Sequence, residues 1–256
     1  MFLVDIITHN SVSSLMLILL IFARFLGAIS VHPMFSSSIL SSLLRNSLSL
    51  MLAILIFPYL RANTQLNLNN PFMMILLIAG NYCYGYLIGF FLSFPIWLIE
   101  SCGNIIDTQR GEQAGAIMNK LTSNPASSIA NLLTKAFMVY FVINNGLIFF
   151  FDTLFRSFSV IPVDNLLAAL TQMHINDYTH AVSQYFYWVI ILVLPIIVAL
   201  FLLDLIFGLI GAFIPQMNVT VIAMPIKSAL ALFLLTMMCG YIFHNILIKF
   251  LMPISL

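Results

Sequence analysis

Between Ala62 and Ile99 the chain carries no charged side chain, and from Phe72 to Ile99 nearly every residue is apolar. A helix of a soluble domain keeps one face for water and cannot be built from such a segment. A bilayer accepts it, because about 20 apolar residues of helix cross the hydrocarbon core. The 28 residues from Phe72 to Ile99 are too many for one straight span and too few for two. The expectation is a helix that projects beyond the membrane, or one bent or broken near Gly80, Gly85, Gly89 or Pro95.

The rest of the 256-residue chain repeats this pattern. Hydrophobic residues make up 62% and charged residues 7%, with a mean hydropathy of +1.10. Soluble domains carry about 25% charged residues, so an ordinary cytosolic enzyme and a disordered chain are both excluded. The nine Lys and Arg are scattered, and the net charge is +1. Without a basic tract there is no nucleic-acid binding face. What remains is a membrane protein, or one buried in a large apolar assembly.

Six apolar blocks follow one another, at about Ser11–Val31, Ile39–Tyr59, Phe72–Ile99, Ile129–Phe151, Val182–Ile214 and Val219–Leu251. None alternates with the period of a strand, so the expected class is all-α: membrane-type helical hairpins with long, bent or broken helices. One domain is expected over 1–256. It divides into an N-terminal part of about 1–180, holding a polar loop at 100–128, and a C-terminal hairpin of about 181–256. Lys and Arg divide too evenly between the two sides to orient the spans.

A charge at the centre of a spanning helix costs about 2.5–3.5 kcal/mol on insertion scales. Arg24, Lys135, Asp204 and Lys227 nevertheless lie inside apolar blocks or near their ends. Two readings stand for Asp204. It is an ion or coupling site, as in a small-molecule or ion transporter, or it forms an interhelical pair with a Lys or Arg. Gly85-x-x-x-Gly89 has the spacing of close helix packing. Asp107 and Arg110, at i and i+3, are placed for a local pair or for contact with a neighbouring subunit.

No chemistry of catalysis is encoded. GxSxG, HExxH and GxxxxGK[ST] are all missing from the sequence. His174, Asp177 and His180 are spaced i, i+3, i+6 and do not share a helical face, which argues against a metal site. Cys83, Cys102 and Cys239 are far apart and read as small apolar core thiols. No cofactor, metal or enzymatic activity is expected.

Two segments are more specific than their composition. One is Gly103-Asn-Ile-Ile-Asp107-Thr-Gln109-Arg110-Gly111-Glu112, with Asn124-Pro125 beyond it. The other is Asp204-x-x-x-Gly208, then Pro215-Gln216-Met217-Asn218 and Met224-Pro225-Ile226-Lys227. Arg24-x-x-Gly27 is a weaker third. Together they resemble the SctT/FliR family, the T subunit of the type III secretion export gate, in its virulence-system branch. The resemblance covers essentially the whole chain.

It implies a structural subunit of a helical, ring-like gate, built with R-type and S-type subunits, through which unfolded effector and needle proteins cross the inner membrane. The switch-type and large export-gate membrane subunits are implied as further partners, and lipid as a contact. The resemblance places the subunit as a multi-pass inner-membrane protein that sits, in the assembled machine, largely above that membrane on the periplasmic side. It makes residues 100–128, with Asp107, Gln109, Arg110, Gly111 and Glu112, a plug-like element. Pro215, Gln216, Asn218, Pro225 and Lys227 become a helix junction in contact with a neighbour.

Overall fold

The computed structural model describes residues 11–61, 71–111, 128–164, 175–214 and 219–251. Glu112, His174, Pro215, Gln216 and Asn218 lie outside the described residues, as does the stretch 112–127 of the polar loop. The described residues are built from α-helices and hold no strand. The helices are α1 (Ser11–Val31), α2 (Ser42–Arg61), α3 (Pro71–Leu92), α4 (Phe94–Arg110), α5 (Ser128–Ile143), α6 (Gly146–Val160), α7 (Ile175–Phe213) and α8 (Val219–Leu251), with one 3-10 turn at Pro33–Phe35. Five are long and apolar enough to cross a membrane, over Ser13–Val31, Ser42–Arg61, Phe72–Leu92, Tyr178–Phe213 and Val221–Ile248.

The over-long third block is broken. Helix α3 starts at Pro71, a residue suited to a first helical position. It ends at Leu92, and Ser93 separates it from α4. Pro95 fits only the first turn of α4, where its missing N–H is not needed. The fourth block also breaks, at Asn144 and Asn145. Asn145 has a φ of 62°, a left-handed conformation that Asn tolerates better than most residues.

The chain divides into two compact units, each made of two stretches. One comprises residues 1–93 and 147–175, the other 94–146 and 176–256. In the first unit α1 is the central element. Leu17, Leu20, Ile21, Phe25 and Ile29 of α1 form one core with Ala53 and Phe57 of α2 and Phe150, Leu154 and Phe158 of α6. Helix α3 reaches α1 through glycines. A Cβ on Gly85 would fall well inside van der Waals contact with the carbonyl of Arg24, and one on Gly89 with that of Ala28. The Gly85-x-x-x-Gly89 spacing is therefore a close-packing face, as in membrane helix pairs.

At this crossing Arg24 is fully buried, and among the described residues no carboxylate pairs with it. Its Nε and Nη2 donate to Asn81 Oδ1 on α3, at 3.1 and 2.6 Å. Its Nη1 donates to the carbonyls of Ser157 and Ile161 at the end of α6, at 3.1 and 2.9 Å. The guanidinium lies 4.5 Å from the ring centre of Phe158 and 4.9 Å from that of Tyr84. The last carbonyls of a helix lack intrahelical donors and carry its negative dipole end, so they serve a cation. Asn81 Nδ2 in turn donates to the carbonyls of Leu77 and Val163. One cation and one amide thus join α1, α3 and the end of α6. Nearby His32 is buried between Phe35 and Phe150, and burial drives its pKa down to about 3.

In the second unit α4 and α5 cross at Gly103, where an added Cβ would strike Ala130. Ile99, Cys102 and Ile106 of α4 are buried, as are Leu133, Phe137 and Phe141 of α5 and Ile242, Phe243 and Ile246 of α8. Phe243 meets Phe137 edge-on, with ring centres 5.3 Å apart. Helix α7 joins α4 through Tyr185, whose hydroxyl lies 2.6 Å from Ser101 Oγ and donates to the Trp97 carbonyl at 3.3 Å. Of the three cysteines only Cys102 is a core thiol, pushed up to about 12 by burial. Cys83 is exposed and Cys239 half-buried, because each lies on a long helix with an uncovered face.

Replacing Arg24 by Leu removes the donor of three buried acceptors; the Ser157 carbonyl keeps the Ile161 N–H at 3.0 Å, while Asn81 Oδ1 and the Ile161 carbonyl lose theirs. The substitution is expected to destabilise the purified protein by about 2–4 kcal/mol. Arg24→Lys should recover only part of this, since an ammonium lacks the planar fork that reaches all three. Thermal unfolding in detergent checks both, and a loss below about 0.5 kcal/mol for the Leu variant would contradict the assignment.

Candidate functional site

The residues that the sequence singled out gather at the last turn of α4. Reading Glu100–Ser128 as one flexible loop needs correction, since α4 continues without a break to Arg110. The reason is Asp107, which is not presented to solvent at all. Its side chain is fully buried, with its oxygens divided between two helices. Oδ1 receives Arg110 Nε at 2.8 Å and Nη2 at 2.7 Å, one turn further on. Oδ2 receives the backbone N–H groups of Ile129 and Ala130, at 3.1 and 3.0 Å.

Those two N–H groups belong to the first turn of α5 and have no intrahelical acceptor. Asp107 thus caps α5 from outside, placing a negative charge at the positive end of that helix. The carboxylate ties the point where α4 ends to the point where α5 begins. Nothing in the side chains of Ile129 and Ala130 signals this, because the donors are backbone.

Gly111 ends α4. Its φ of 86° is left-handed, and its N–H bonds the Thr108 carbonyl at 3.1 Å. A glycine suits this helix-ending position because a side chain there is strained. The same residue faces α8: a Cβ on Gly111 would sit 3.6 Å from Met224 Cε, in ordinary contact.

Gln109 points elsewhere. Its Nε2 donates to Asp204 Oδ2 of α7 at 3.4 Å. The other oxygen of Asp204, Oδ1, makes an ion pair with Lys227 Nζ of α8. The two charges left unexplained in the last two blocks therefore satisfy each other across the α7–α8 hairpin, which is the interhelical-pair reading of Asp204. Lys227 follows Pro225 in the first turns of α8. Its side chain is only 13% exposed, so its ammonium is engaged within its own hairpin.

Asp107, Gln109, Arg110 and Gly111 thus form a single cluster with Asp204, Met224 and Lys227. Arg24 belongs to the other unit. Sequence reasoning does not single out Asn81 or Tyr185, and it names Met224 only as part of the Met224-Pro225-Ile226-Lys227 segment. An amide inside an apolar spanning block is the signal that marks Asn81.

Asp107→Ala is expected to destabilise the protein by about 2–4 kcal/mol, since it takes the acceptor from two buried N–H groups and removes the ion pair with Arg110. Asp152→Ala, which breaks an exposed i, i+4 pair with Arg156, should cost under about 1 kcal/mol. Thermal unfolding of both variants makes the comparison, and equal losses would contradict the cap.

Residues 15–251 match the model of the family described as bacterial export proteins, family 1. The chain is 31% identical over 221 residues to the Yop proteins translocation protein T of Yersinia pestis, covering 86% of this chain and 84% of that protein. It is 29% identical over 216 residues to the secretion system apparatus protein SsaT of Salmonella typhimurium, covering 84% and 83%. With the flagellar biosynthetic protein FliR of Bacillus subtilis it shares 23% identity over 229 residues, covering 88% and 86%. The match runs through both units and through the α4–hairpin cluster, and the chain belongs to bacterial export family 1, the SctT/FliR family of type III secretion export-gate proteins.

Proposed function

We propose that this chain is a wall subunit of a type III secretion export gate, assembled with R-type and S-type subunits, through which unfolded proteins cross the inner membrane. The observation that carries the reading is the family match, which is continuous over residues 15–251 and includes relatives named for translocation, secretion apparatus and flagellar biosynthesis. The chain is a structural component and not an enzyme, as its relatives are. The transporter alternative has no support among those relatives, and the Asp204 carboxylate that it required is shared between Lys227 and Gln109.

The apolar surface supports a protein-lined position for part of the chain. The apolar run of α7 is 36 residues long, about 54 Å at 1.5 Å per residue. A hydrocarbon core is about 30 Å thick. Phe186, Ile190, Leu194, Phe201, Leu209 and Phe213 remain exposed along that length. Lipid covers only part of such a helix, and neighbouring subunits cover the rest. This accords with a subunit inserted as a multi-pass membrane protein and then held largely on the periplasmic side of the inner membrane. The switch-type and large membrane subunits of the same machine are further neighbours in this reading.

Residues 111–128 are the plug-like element of the closed gate. The buried Asp107 carboxylate supports this role, because it ties the end of α4 to the start of α5 without using the segment itself.

Co-expression with R-type and S-type subunits should give a stable complex that co-purifies in detergent, whereas a chain recovered only alone would overturn the assignment. Replacing residues 113–126 by a short Gly-Ser linker, with Asp107 to Gly111 intact, should raise small-ion conductance of assembled gates about tenfold or more. Normal assembly with unchanged conductance would remove the plug role.

A further inference from the structure

The last turn of α4 is held by three other helices at successive positions. Asp107 takes the N-terminus of α5, Gln109 takes Asp204 of α7, and Gly111 lies against Met224 of α8. The Asp204 contact differs from the others because its carboxylate serves two partners. Oδ1 neutralises Lys227 and Oδ2 accepts from Gln109. A neutral amide suits position 109, because Lys227 already balances the Asp204 carboxylate.

From this shared carboxylate we infer that Asp204 and Gln109 are positioning residues that couple the α7–α8 hairpin to the exit of α4. When α7 and α8 are paired, Asp204 is oriented by Lys227 and presents Oδ2 to Gln109. When the hairpin opens or shifts, that oxygen leaves and the last turn of α4 loses its tie. Linkage makes the effect reciprocal, so whatever fixes α4 also favours the closed hairpin. A neighbour that grips the hairpin thereby sets the position from which residues 112–127 depart. The consequence for gating rests on the plug reading above; the coupling itself does not.

Hydrogen exchange of the full chain in lipid nanodiscs tests it. Gln109→Leu cuts the link and leaves the ion pair in place. Coupled contacting residues interact strongly enough to predict that this variant speeds exchange of amides 107–111 about fivefold, with the amides of α5 unchanged as a sign of an intact fold. Asp204→Ala should do the same and also loosen the hairpin, and adding Gln109→Leu to it should produce no further rise at 107–111. Exchange within twofold of the parent in Gln109→Leu, or additive effects in the double variant, would overturn the coupling. The same variants in assembled gates separate the two ideas. Faster exchange with unchanged conductance upholds the coupling and counts against the plug, whereas unchanged exchange overturns the coupling whatever the conductance does.

Discussion

A charge enclosed by apolar helices must be met by whatever polar groups the fold brings to it, and at Arg24 and Asp107 half of the bonds are to backbone groups. Arg24 is met by carbonyls at the end of α6, and Asp107 by N–H groups at the start of α5. Each charge sits against the helix end of opposite sign, where terminal backbone groups are available, although the Ser157 carbonyl also takes the Ile161 N–H. This fixes positions that apolar packing alone leaves loose, since one Leu face slides over another at little cost. Arg24 sets how α1, α3 and α6 meet within one unit, and Asp107 how α4 and α5 meet within the other.

The hairpin charges follow a different rule. Asp204 and Lys227 lie on neighbouring long helices and neutralise each other side chain to side chain, with Gln109 on the remaining oxygen. Because the charges of α1, α4, α7 and α8 named here are engaged inside the chain, the outward faces of α7 and α8 are left apolar over lengths greater than a bilayer needs. Such a surface suits a subunit that enters a membrane first and is later enclosed by other subunits.

Much of the fold was legible in the sequence because apolar blocks and their punctuation determine helices directly. The first and last blocks coincide with α1 and α8. A break was one of two readings of the over-long third block, with Pro95 among the positions named for it. The break at Asn145 was not legible, since a left-handed Asn has no side-chain signature beyond its tolerance for that conformation. Helix α4 was read as loop from Glu100 onward because Glu100, Asp107 and Arg110 look like a solvated stretch. They are helical because Asp107 is satisfied from within. At the site, the i, i+3 spacing allowed the Asp107–Arg110 pair, and Asp204 with a basic partner was one of two readings. The α5 cap and the acceptors of Arg24 were out of reach, because every residue offers the same backbone groups. Glu112, Pro215, Gln216 and Asn218 fall outside the described residues, so their roles rest on the family resemblance alone.

The central claim is that Arg24, Asp107, Asp204 and Lys227 are engaged within the chain and that its excess apolar length is left to protein neighbours. A cryo-electron microscopy map of the chain assembled with R-type and S-type subunits, at a resolution that shows side chains, is the most direct measurement. The expected result is Arg24 on the carbonyls of Ser157 and Ile161, Asp107 at the start of α5, and protein density covering α7 over the part of Tyr178–Phe213 that exceeds one bilayer thickness. Lipid or detergent along the whole of α7, or Arg24 or Asp107 turned to the lumen or to a neighbouring subunit, would contradict it.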